Sequence, residues 1–352
     1  MNQRYKQDWE QARARIEAFW QGEVLDRCCI AIRAGQPAAP VPQDEAGRLL
    51  HWTDPDYIIA RERARMEKTH YGGEAFPCIF LNLGAAGHAG FFRGARYTFE
   101  NSVWFSPSTD DPDTLAFDES SFLYRKTLEL AQAFAADSSG DYFVSMPDST
   151  GNLDALSHLL GPDELLPTML EEPERLSAAL EKVQSAYARV MREVYATVRT
   201  VNDGGSCIDW LSTWAPGFHA QMQCDMSVMI SNAMFDEFAM PELRAQCNLL
   251  DYPLYHLDGA EQLRHLDSLL SLEKLRAIQW MQVAGQKPCT EYIPELQRIQ
   301  AAGKNLVIIV SPRQVKPLME NLSSRGLFLV TRTGTQDEAE ALLRDVERWT
   351  HL

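Results

Sequence analysis

"YPLYHLDGAEQLRHLDSLLSLEKLRAIQWM" (residues 252–281) places two short apolar runs on either side of an amphipathic segment. The first run ends in an imidazole and a carboxylate, at His256 and Asp258, and the second contains Gln279 and Trp280. Short apolar runs that flank a helical pattern are typical of a strand–helix–strand unit in a parallel sheet. Side chains at positions i and i+2 point to the same side of a strand, so we expect His256 and Asp258 to face a common space.

The same alternation of strand and helix patterns continues through the rest of the chain. The runs at 305–310 (NLVIIV) and 327–331 (LFLVT) are apolar throughout, which indicates burial on both faces of a parallel sheet. Counting from YFVSMPD at 142–148 gives about seven strands, and CIFLNL or CIAIR can supply an eighth. This pattern predicts an α/β protein with a (β/α)8 TIM barrel, and a doubly wound open sheet is the alternative. The barrel is favoured because no Gly-rich dinucleotide motif or P-loop follows any strand.

The chain divides into two parts of one structural domain. Residues 119–352 are predicted to form the main part of the barrel, and residues 1–118 an N-terminal extension of helices, first strands and an aromatic-rich flap packed on it. The aromatic-rich part, 82–118, leaves two interpretations open. It folds over a cavity, with Trp104 or Phe91 as a lid contact, or it is a packed β-extension of the barrel.

Charge and cysteine content limit the classes of partner. The 352 residues include 49 acidic and 33 basic side chains, which gives a formal net charge of −16. A surface this acidic repels nucleic acid and anionic lipid, so neither is expected as a partner. No apolar stretch reaches the roughly 18 residues of a membrane span, and the N-terminus lacks the apolar core of a signal peptide. Seven scattered cysteines without a CxxC pair favour a cytoplasmic protein with reduced thiols.

Polar and aromatic residues end most of the predicted strands, where a barrel carries its active site. A helix cap or a packing role explains each of them individually, but desolvated carboxylates are costly unless they bind a ligand or take part in chemistry. We therefore expect these side chains to share one cavity. The candidates are Asp148, Asp209, Trp210, Trp214, His219, Asp225, His256, Asp258, Gln279 and Trp280.

Four short motifs follow one another along the chain: YHLDG (255–259), IQW (278–280), VIIV (307–310) and GLFLVT (326–331). Their order resembles the uroporphyrinogen decarboxylase superfamily, which includes the methylcobalamin:coenzyme M methyltransferases and related corrinoid-linked enzymes. The resemblance covers roughly residues 120–350. It implies a (β/α)8 barrel with an open funnel at the carboxyl ends of the strands.

The methyltransferase branch implies a thiol-activating zinc, held by a His-x-Cys pair and by a cysteine after the last strand. Here His256 matches the histidine and Asp258 stands in the place of the first cysteine. No cysteine follows the last strand near Arg332, which leaves Cys289 as the candidate third ligand. Replacing thiolates by carboxylate makes such a site harder and weaker for zinc.

Three functions follow, of which the first is favoured by the resemblance. It is a corrinoid-linked methyltransferase that acts on a small methylated substrate and uses a corrinoid carried by a partner protein. Its expected catalytic residues are His256, Asp258 and Asp225, with His256, Asp258 and Cys289 as candidate zinc ligands. Without an activated thiol, protonation of a methoxy or amine substrate by His256 or a carboxylate is expected to assist the transfer.

The second function is an enzyme that acts on a carbohydrate or another small polar substrate by Asp/His acid–base chemistry in the same cavity. Tryptophan faces and carboxylates suit sugar rings and hydroxyls. The expected substrate-binding residues, shared with the first function, are Asp148, Asp209, Trp210, Trp214, His219, Gln279 and Trp280.

The third function, uroporphyrinogen decarboxylation itself, is disfavoured. The resemblance implies several arginines near the N-terminus around an essential aspartate, whereas the first predicted strand offers only Arg33. A chain with a net charge of −16 also repels a substrate with eight carboxylates.

Overall fold

The computed structural model describes residues 1, 4–35 and 40–351 of the chain. Strands and helices alternate along most of it. The strands are β1 (Cys29–Ala34), β2 (His70–Gly73), β3 (Cys78–Ile79), β4 (Arg96–Phe99), β5 (Val103–Ser106), β6 (Phe143–Val144), β7 (Ser206–Ile208), β8 (Thr213–Ala215), β9 (His219–Met222), β10 (Tyr252–Asp258), β11 (Ala277–Met281), β12 (Asn305–Ile309) and β13 (Leu327–Thr333). The helices are α1 (Trp9–Trp20), α2 (Glu45–Thr53), α3 (Pro55–Met66), α4 (Phe122–Ser138), α5 (Asn152–Leu160), α6 (Pro162–Glu171), α7 (Pro173–Val198), α8 (Asn232–Met234), α9 (Met240–Leu249), α10 (Leu266–Leu270), α11 (Ile293–Ala301), α12 (Pro312–Asn321) and α13 (Gln336–Trp349).

The main sheet has seven strands in the order β2-β1-β13-β12-β11-β10-β9. All neighbours pair in parallel except β2, which is antiparallel to β1. The predicted α/β class with a parallel sheet is therefore confirmed. Six short strands of the described chain lie outside this sheet: β3 pairs in parallel with β6, and β4–β5 and β7–β8 each form a hairpin. Closure of all these strands into an eight-stranded barrel stays a prediction.

The N-terminal part contributes a strand to the main sheet. All six residues of β1 pair with β13, from Cys29 opposite Phe328 to Ala34 opposite Thr333. Helix α1 covers the sheet with aromatic side chains, and the rings of Phe19 and Phe328 lie 5.4 Å apart. The described part of residues 1–118 is thus built into the same core as the strands that follow it.

Local capping signals fix the helices that surround the strand ends. Pro55 occupies the first turn of α3, and the Asp54 carboxylate accepts a hydrogen bond of 2.7 Å from the Tyr57 amide. Ser311 and Gln314 form a capping box that starts α12 directly after β12. These caps place the amino ends of helices beside the carboxyl ends of parallel strands, which is where βα loops form binding sites.

The aromatic-rich segment folds onto α2. Its hairpin, β4–β5, accepts hydrogen bonds at two backbone carbonyls, from Trp52 Nε1 to Glu100 at 2.9 Å and from Arg48 Nε to Phe99 at 3.0 Å. Trp104, expected as a lid contact, is 54% exposed. The segment therefore supports α2 from outside as a packed β-extension.

Among the residues that the structure describes, no helix combines the length and the apolar character needed to cross a bilayer. All seven cysteines are free and buried, and the closest pair, Cys78 and Cys207, has its sulfur atoms 3.6 Å apart.

Candidate active site

A cavity of about 610 Å³ lies at the carboxyl ends of β1, β12 and β13. Helices α2, α3 and α4 and the loops after β3 and β7 form its other walls. Aromatic and aliphatic side chains provide much of the surface, among them Trp52, Phe80, Phe134 and Trp210. The charged side chains in its wall are Arg33, Arg61, Glu62, Arg65, Asp209 and Arg332.

Two ion-pair groups hold most of these charges in place. Nη2 of Arg33 lies 2.8 Å from Oδ1 of Asp209, and both side chains are almost fully buried. Glu62 receives Arg61 Nε at 3.0 Å and Arg65 Nε at 2.6 Å. Burial alone would raise the pKa of Asp209, but Arg33 and Arg65 outweigh it and hold that pKa below its usual value. Asp209 is therefore a charged anchor for Arg33 rather than a proton donor.

Arg332 is the remaining positive charge in the cavity wall. Its side chain makes no hydrogen bond or ion pair to any described residue, and its pKa is lowered by burial and by Arg33 and Arg65. Beside it, Nε of Arg33 and Oγ1 of Thr331 are buried without a hydrogen-bond partner in the described chain. With four arginines against two carboxylates, the cavity carries an excess of positive charge and suits an anion such as a carboxylate.

This arginine cluster corrects the sequence-based argument that Arg33 stands alone. Arg61 and Arg65 come from α3, and Arg332 comes from the end of β13, next to Arg33 in the strand register. Their separation in sequence hides the cluster. The available signal was the i, i+4 spacing of Arg61 and Arg65, which places both on one face of a helix.

Trp210 separates the arginine cavity from a second polar group. Its indole lines the cavity and also contacts the His256 ring edge to face, with the ring centroids 4.9 Å apart. Its Nε1 donates a hydrogen bond of 2.8 Å to Oε1 of Gln221. Trp210 therefore contacts both halves of the site: it forms a wall of the arginine cavity, and it packs against and hydrogen-bonds the second polar group.

A chain of amides leads from Trp210 to two carboxylates. Gln221 Nε2 donates to Oδ1 of Asp148 and, at 3.3 Å, to Oε1 of Gln223. Gln223 Nε2 then donates to Oδ2 of Asp225 at 3.0 Å. Because an indole N–H only donates, Trp210 determines the orientation of both amides along this chain. Gln221 and Gln223 were not among the predicted residues, although their i, i+2 spacing at the end of a strand resembles that of His256 and Asp258.

Both carboxylates in this chain favour their protonated form. Burial raises the pKa of Asp148 to about 7. Burial and the neighbouring carboxylates of Asp154 and Asp258 raise the pKa of Asp225 to about 8. Asp225 is exposed, and water moderates its rise because it screens the carboxylate. Asp148, which is half-buried, is the better candidate for an acid that holds a proton near neutral pH.

His256 lies behind Trp210 and is held by the neighbouring strand. It is paired with Gln279 in the parallel register of β10 and β11, and its Nδ1 contacts Oε1 of that amide. Since an amide oxygen only accepts, Nδ1 carries the proton and Nε2 is the free acceptor of the neutral ring. Burial lowers the pKa of His256, which keeps the ring neutral. Asp258, at the end of the same strand, is half-buried.

Asp154 is a buried carboxylate that the sequence did not indicate. It accepts hydrogen bonds from the backbone amides of Gly151, Asp225 and Met226 at 2.9, 2.9 and 2.7 Å. The Thr150 hydroxyl adds a fourth bond of 2.8 Å. Asp154 thus fixes the start of α5 against the segment that carries Asp225, and it acts by positioning.

Three of the predicted substrate-binding residues lie outside both halves of the site. His219 begins β9, at the opposite end of the strands from the cavity, and its ring nitrogens contact Oγ1 of Thr213 and the Tyr252 carbonyl at 2.9 and 2.7 Å. Trp214 is fully buried and donates to the Asn202 carbonyl at 2.9 Å.

Trp280 is buried beside Tyr292, with the ring centroids 5.1 Å apart, and points away from Gln279 because strand side chains alternate. Together with Trp214 and His219, it is a packing residue. The strand-end argument failed for these residues because it did not distinguish the two ends or the two faces of a strand.

The expected zinc ligands do not fit a metal site. No group of three or more His, Cys, Asp or Glu side chains in the described parts of the chain has a ligating arrangement. Cys289 is buried near Gln314, whose Nε2 lies 3.7 Å from its sulfur, and burial raises the pKa of this thiol to about 11. Around Cys289, the described residues offer no ligating group of three.

Comparisons with known proteins address the fold. No protein-family model matches the chain, and a search of curated protein sequences returns no match. Among solved structures, the chain is similar to a methyltransferase from Methanosarcina mazei, with a TM-score of 0.62 and 13% sequence identity. The similarity covers 96% of this chain and 98% of that chain. At this level of identity it shows a shared fold.

Proposed function

We propose that this protein is a methyltransferase-like enzyme of the uroporphyrinogen decarboxylase superfamily that acts on a small methylated substrate bearing a carboxylate. The cavity with its excess of arginines, bordered by a wall that leads to carboxylates with raised pKa values, is the observation that carries this proposal. The similarity in fold to a methyltransferase over nearly the whole chain supports the methyl-transfer part.

We infer that the strands close into the predicted (β/α)8 barrel. Beyond β9, Ser206 Oγ in β7 donates to the His219 carbonyl at 2.9 Å. The Met146 amide, just after β6, donates to the Cys207 carbonyl at 2.9 Å, and β6 pairs with β3. These links continue the parallel order past the edge of the main sheet. Closure would arrange the carboxyl ends of all the strands around one mouth.

Each residue of the candidate site would have a separate role in such a reaction. Arg332 and Arg33 would bind the substrate carboxylate, which Arg recognises with two parallel hydrogen bonds. Trp210 would form the face against which the substrate body lies. A substrate that extends past the Trp210 indole would bring the oxygen or nitrogen that loses the methyl group to Asp148. Asp148 would donate its proton to that atom, because a poor leaving group departs only when protonated.

A corrinoid on a partner protein remains part of this proposal. When bound, it supplies a cobalt that accepts or delivers the methyl group. The cofactor would need only an open face beside the cavity, because the partner protein would hold it. Helix α2 supports such a face: Leu49 and Leu50 are 47% and 45% exposed, next to the cavity-lining His51 and Trp52.

Decarboxylation of a small carboxylic acid is the second candidate, and the arginine cluster favours it. Several cationic side chains around one cavity suit a substrate with more than one carboxylate. A protonated Asp148 would then deliver its proton to the carbon that loses carbon dioxide. This candidate uses the same residues, but the bond that breaks joins the substrate carbon to its carboxylate, whereas the first candidate breaks the bond to the methyl group.

The two candidates separate in one set of assays. Purified protein is incubated with methylcobalamin or its reduced, demethylated form and with methoxy- or methylamino-carboxylic acids, and cobalamin methylation is followed by its visible spectrum. Carbon dioxide release is measured in parallel. Methyl transfer with the carboxylated compounds, lost in Asp148→Asn, supports the first candidate. Carbon dioxide release without methyl transfer supports the second, and neither reaction with any carboxylated compound contradicts both.

A further inference from the structure

A second, much smaller cavity lies between the start of the aromatic-rich segment, the end of β6 and helix α7. Its volume is about 20 Å³. Its wall includes His88, Asp148, Ser149 and Tyr187 together with apolar side chains such as Met191. We propose that this cavity is a binding site for one water molecule, which joins the aromatic-rich segment to the loop that carries Asp148. This inference does not depend on the proposed reaction.

Four polar side chains at this place lack hydrogen-bond partners. Both ring nitrogens of His88, Oγ of Ser149 and the hydroxyl of Tyr187 are buried without a partner among the described residues, and so is Oδ1 of neighbouring Asn152. The exposed fractions are 3% for His88, 3% for Ser149, 0% for Asn152 and 1% for Tyr187. Buried polar groups of native proteins almost always have a partner, because an unsatisfied group keeps the cost of losing its hydration.

The neighbouring polar groups do not satisfy one another. Asn152 lies beside His88 and raises its pKa as a weak hydrogen bond would, and Ser149 lowers the pKa of Tyr187 in the same way. Neither pair, however, has the distance and angle of a full hydrogen bond. Burial lowers the pKa of His88 to about 3, so its ring is neutral and offers one donor and one acceptor. A ligand here must therefore both donate and accept.

Size and chemistry together select water. A buried water molecule needs a cavity of about 10–15 Å³ and two to four polar partners. The cavity meets the size requirement for one water and leaves little room for a larger molecule. Thr127 also lines it, but its hydroxyl already donates to the Leu123 carbonyl at 2.7 Å, so Thr127 does not require the ligand.

The position of the site gives the water a role beside Asp148. Gln221 bonds one carboxylate oxygen of Asp148 from the side of Trp210, and the small cavity borders the same residue. A resident water would hold the loop at 147–149 against the aromatic-rich segment. The segment would then position Asp148 through His88 as well as supporting α2.

Oxygen-17 relaxation dispersion of the folded protein, which counts long-lived internal waters, tests this site. We expect Tyr187→Phe and His88→Phe each to remove one such water relative to wild type, while Thr127→Val in the same cavity keeps it. Tyr187→Phe removes a single oxygen atom and keeps the test valid if His88→Phe fails to fold.

A high-resolution crystal structure gives the second readout. An ordered water within hydrogen-bond distance of at least two of His88, Ser149, Asn152 and Tyr187 supports the proposal. An unchanged water count in Tyr187→Phe, or a map in which His88 bonds Asn152 directly and Tyr187 bonds Ser149 with no water between them, overturns it.

Discussion

The indole N–H of Trp210 donates to Oε1 of Gln221 at 2.8 Å, and this bond joins the arginine cavity to the carboxylates behind it. Because the indole has no acceptor, the bond determines which end of the Gln221 amide faces Asp148. The same side chain thus forms the cavity wall and orients the chain of amides that ends at Asp225.

Removing this donor should lower the stability of the protein. We expect Trp210→Phe to lower the free energy of unfolding by about 1–3 kcal/mol, because Oε1 of the buried Gln221 loses its partner. Trp104→Phe is the matched control, since that indole is exposed and bonds only Asn101. Its effect should stay within about 0.5 kcal/mol. Urea unfolding of both variants measures the difference, and equal effects would argue against an organising role for Trp210.

Arg332 should contribute to anion binding but not to folding. We expect Arg332→Met to weaken binding of a small dicarboxylate such as succinate by about 10- to 100-fold, the value of a hydrogen bond to a charged group. Stability should be unchanged or higher, because the side chain loses its unfavourable proximity to Arg33 and Arg65. Arg325→Met, at an exposed pair with Glu23, is the control. Calorimetric titration that shows equal affinity in wild type and Arg332→Met would reject this assignment.

The buried pair of Arg33 and Asp209 should be costly to break. We expect Asp209→Asn to lower the free energy of unfolding by about 3–5 kcal/mol at neutral pH, since Arg33 keeps its charge without a counter-ion. The pKa of Asp209 is lower in the folded protein, so its contribution is present above about pH 3.9 and is lost as pH falls through the folded-state value. The difference between variant and wild type should therefore shrink in acid.

Glu23→Gln breaks the exposed pair with Arg325 and serves as the control for Asp209→Asn. Its effect should stay below about 0.5 kcal/mol at every pH tested. A pH-independent loss in Asp209→Asn would show that packing, rather than charge, accounts for the change.

Asp148 should impose the opposite pH dependence. Its pKa is raised to about 7 in the folded protein, so between about pH 4 and 7 the folded state keeps a proton that the unfolded chain has released. This term makes wild-type stability fall as pH rises through that range. Asp148→Asn lacks the term, and its stability relative to wild type should increase from pH 4 to 7 and then level off. A flat difference in urea unfolding across this range would contradict the raised pKa.

Zinc should not be a structural or catalytic component of the protein. We expect EDTA to leave the melting temperature unchanged, because the described residues offer no ligating group of three. Metal analysis of the purified protein provides the independent measurement. One zinc per chain in wild type that is lost in His256→Ala would restore the zinc hypothesis, and Cys247→Ala, another buried thiol, is the matched control.

Local sequence signals predicted the regular elements well where those signals were complete. The apolar runs at 305–310 and 327–331 located β12 and β13. Local signals failed where tertiary contacts determine the backbone. The run CIFLNL at 78–83 forms a strand only at Cys78–Ile79, and residues 206–215 form the β7–β8 hairpin. Ser212, in the turn of that hairpin, has a positive φ of 53°, which no local sequence pattern predicts.

The candidate site shows the same division. The sequence predicted that His256 and Gln279 face one common cavity, and the parallel register of β10 and β11 pairs the two residues. The arginine cavity and the amide chain were not predictable in this way. They combine side chains from α3, β1, β9 and β13, which only packing brings together.

By itself, the sequence determined the α/β class, the parallel strands and which residues end them, because apolar periodicity and helix caps act over a few residues. The tertiary structure alone decided that Arg332, Arg33 and Arg65 share a cavity and that Trp214 and His219 do not reach it. The physical reason is that charge–charge interaction and burial depend on distance in space, which a linear order of residues does not contain.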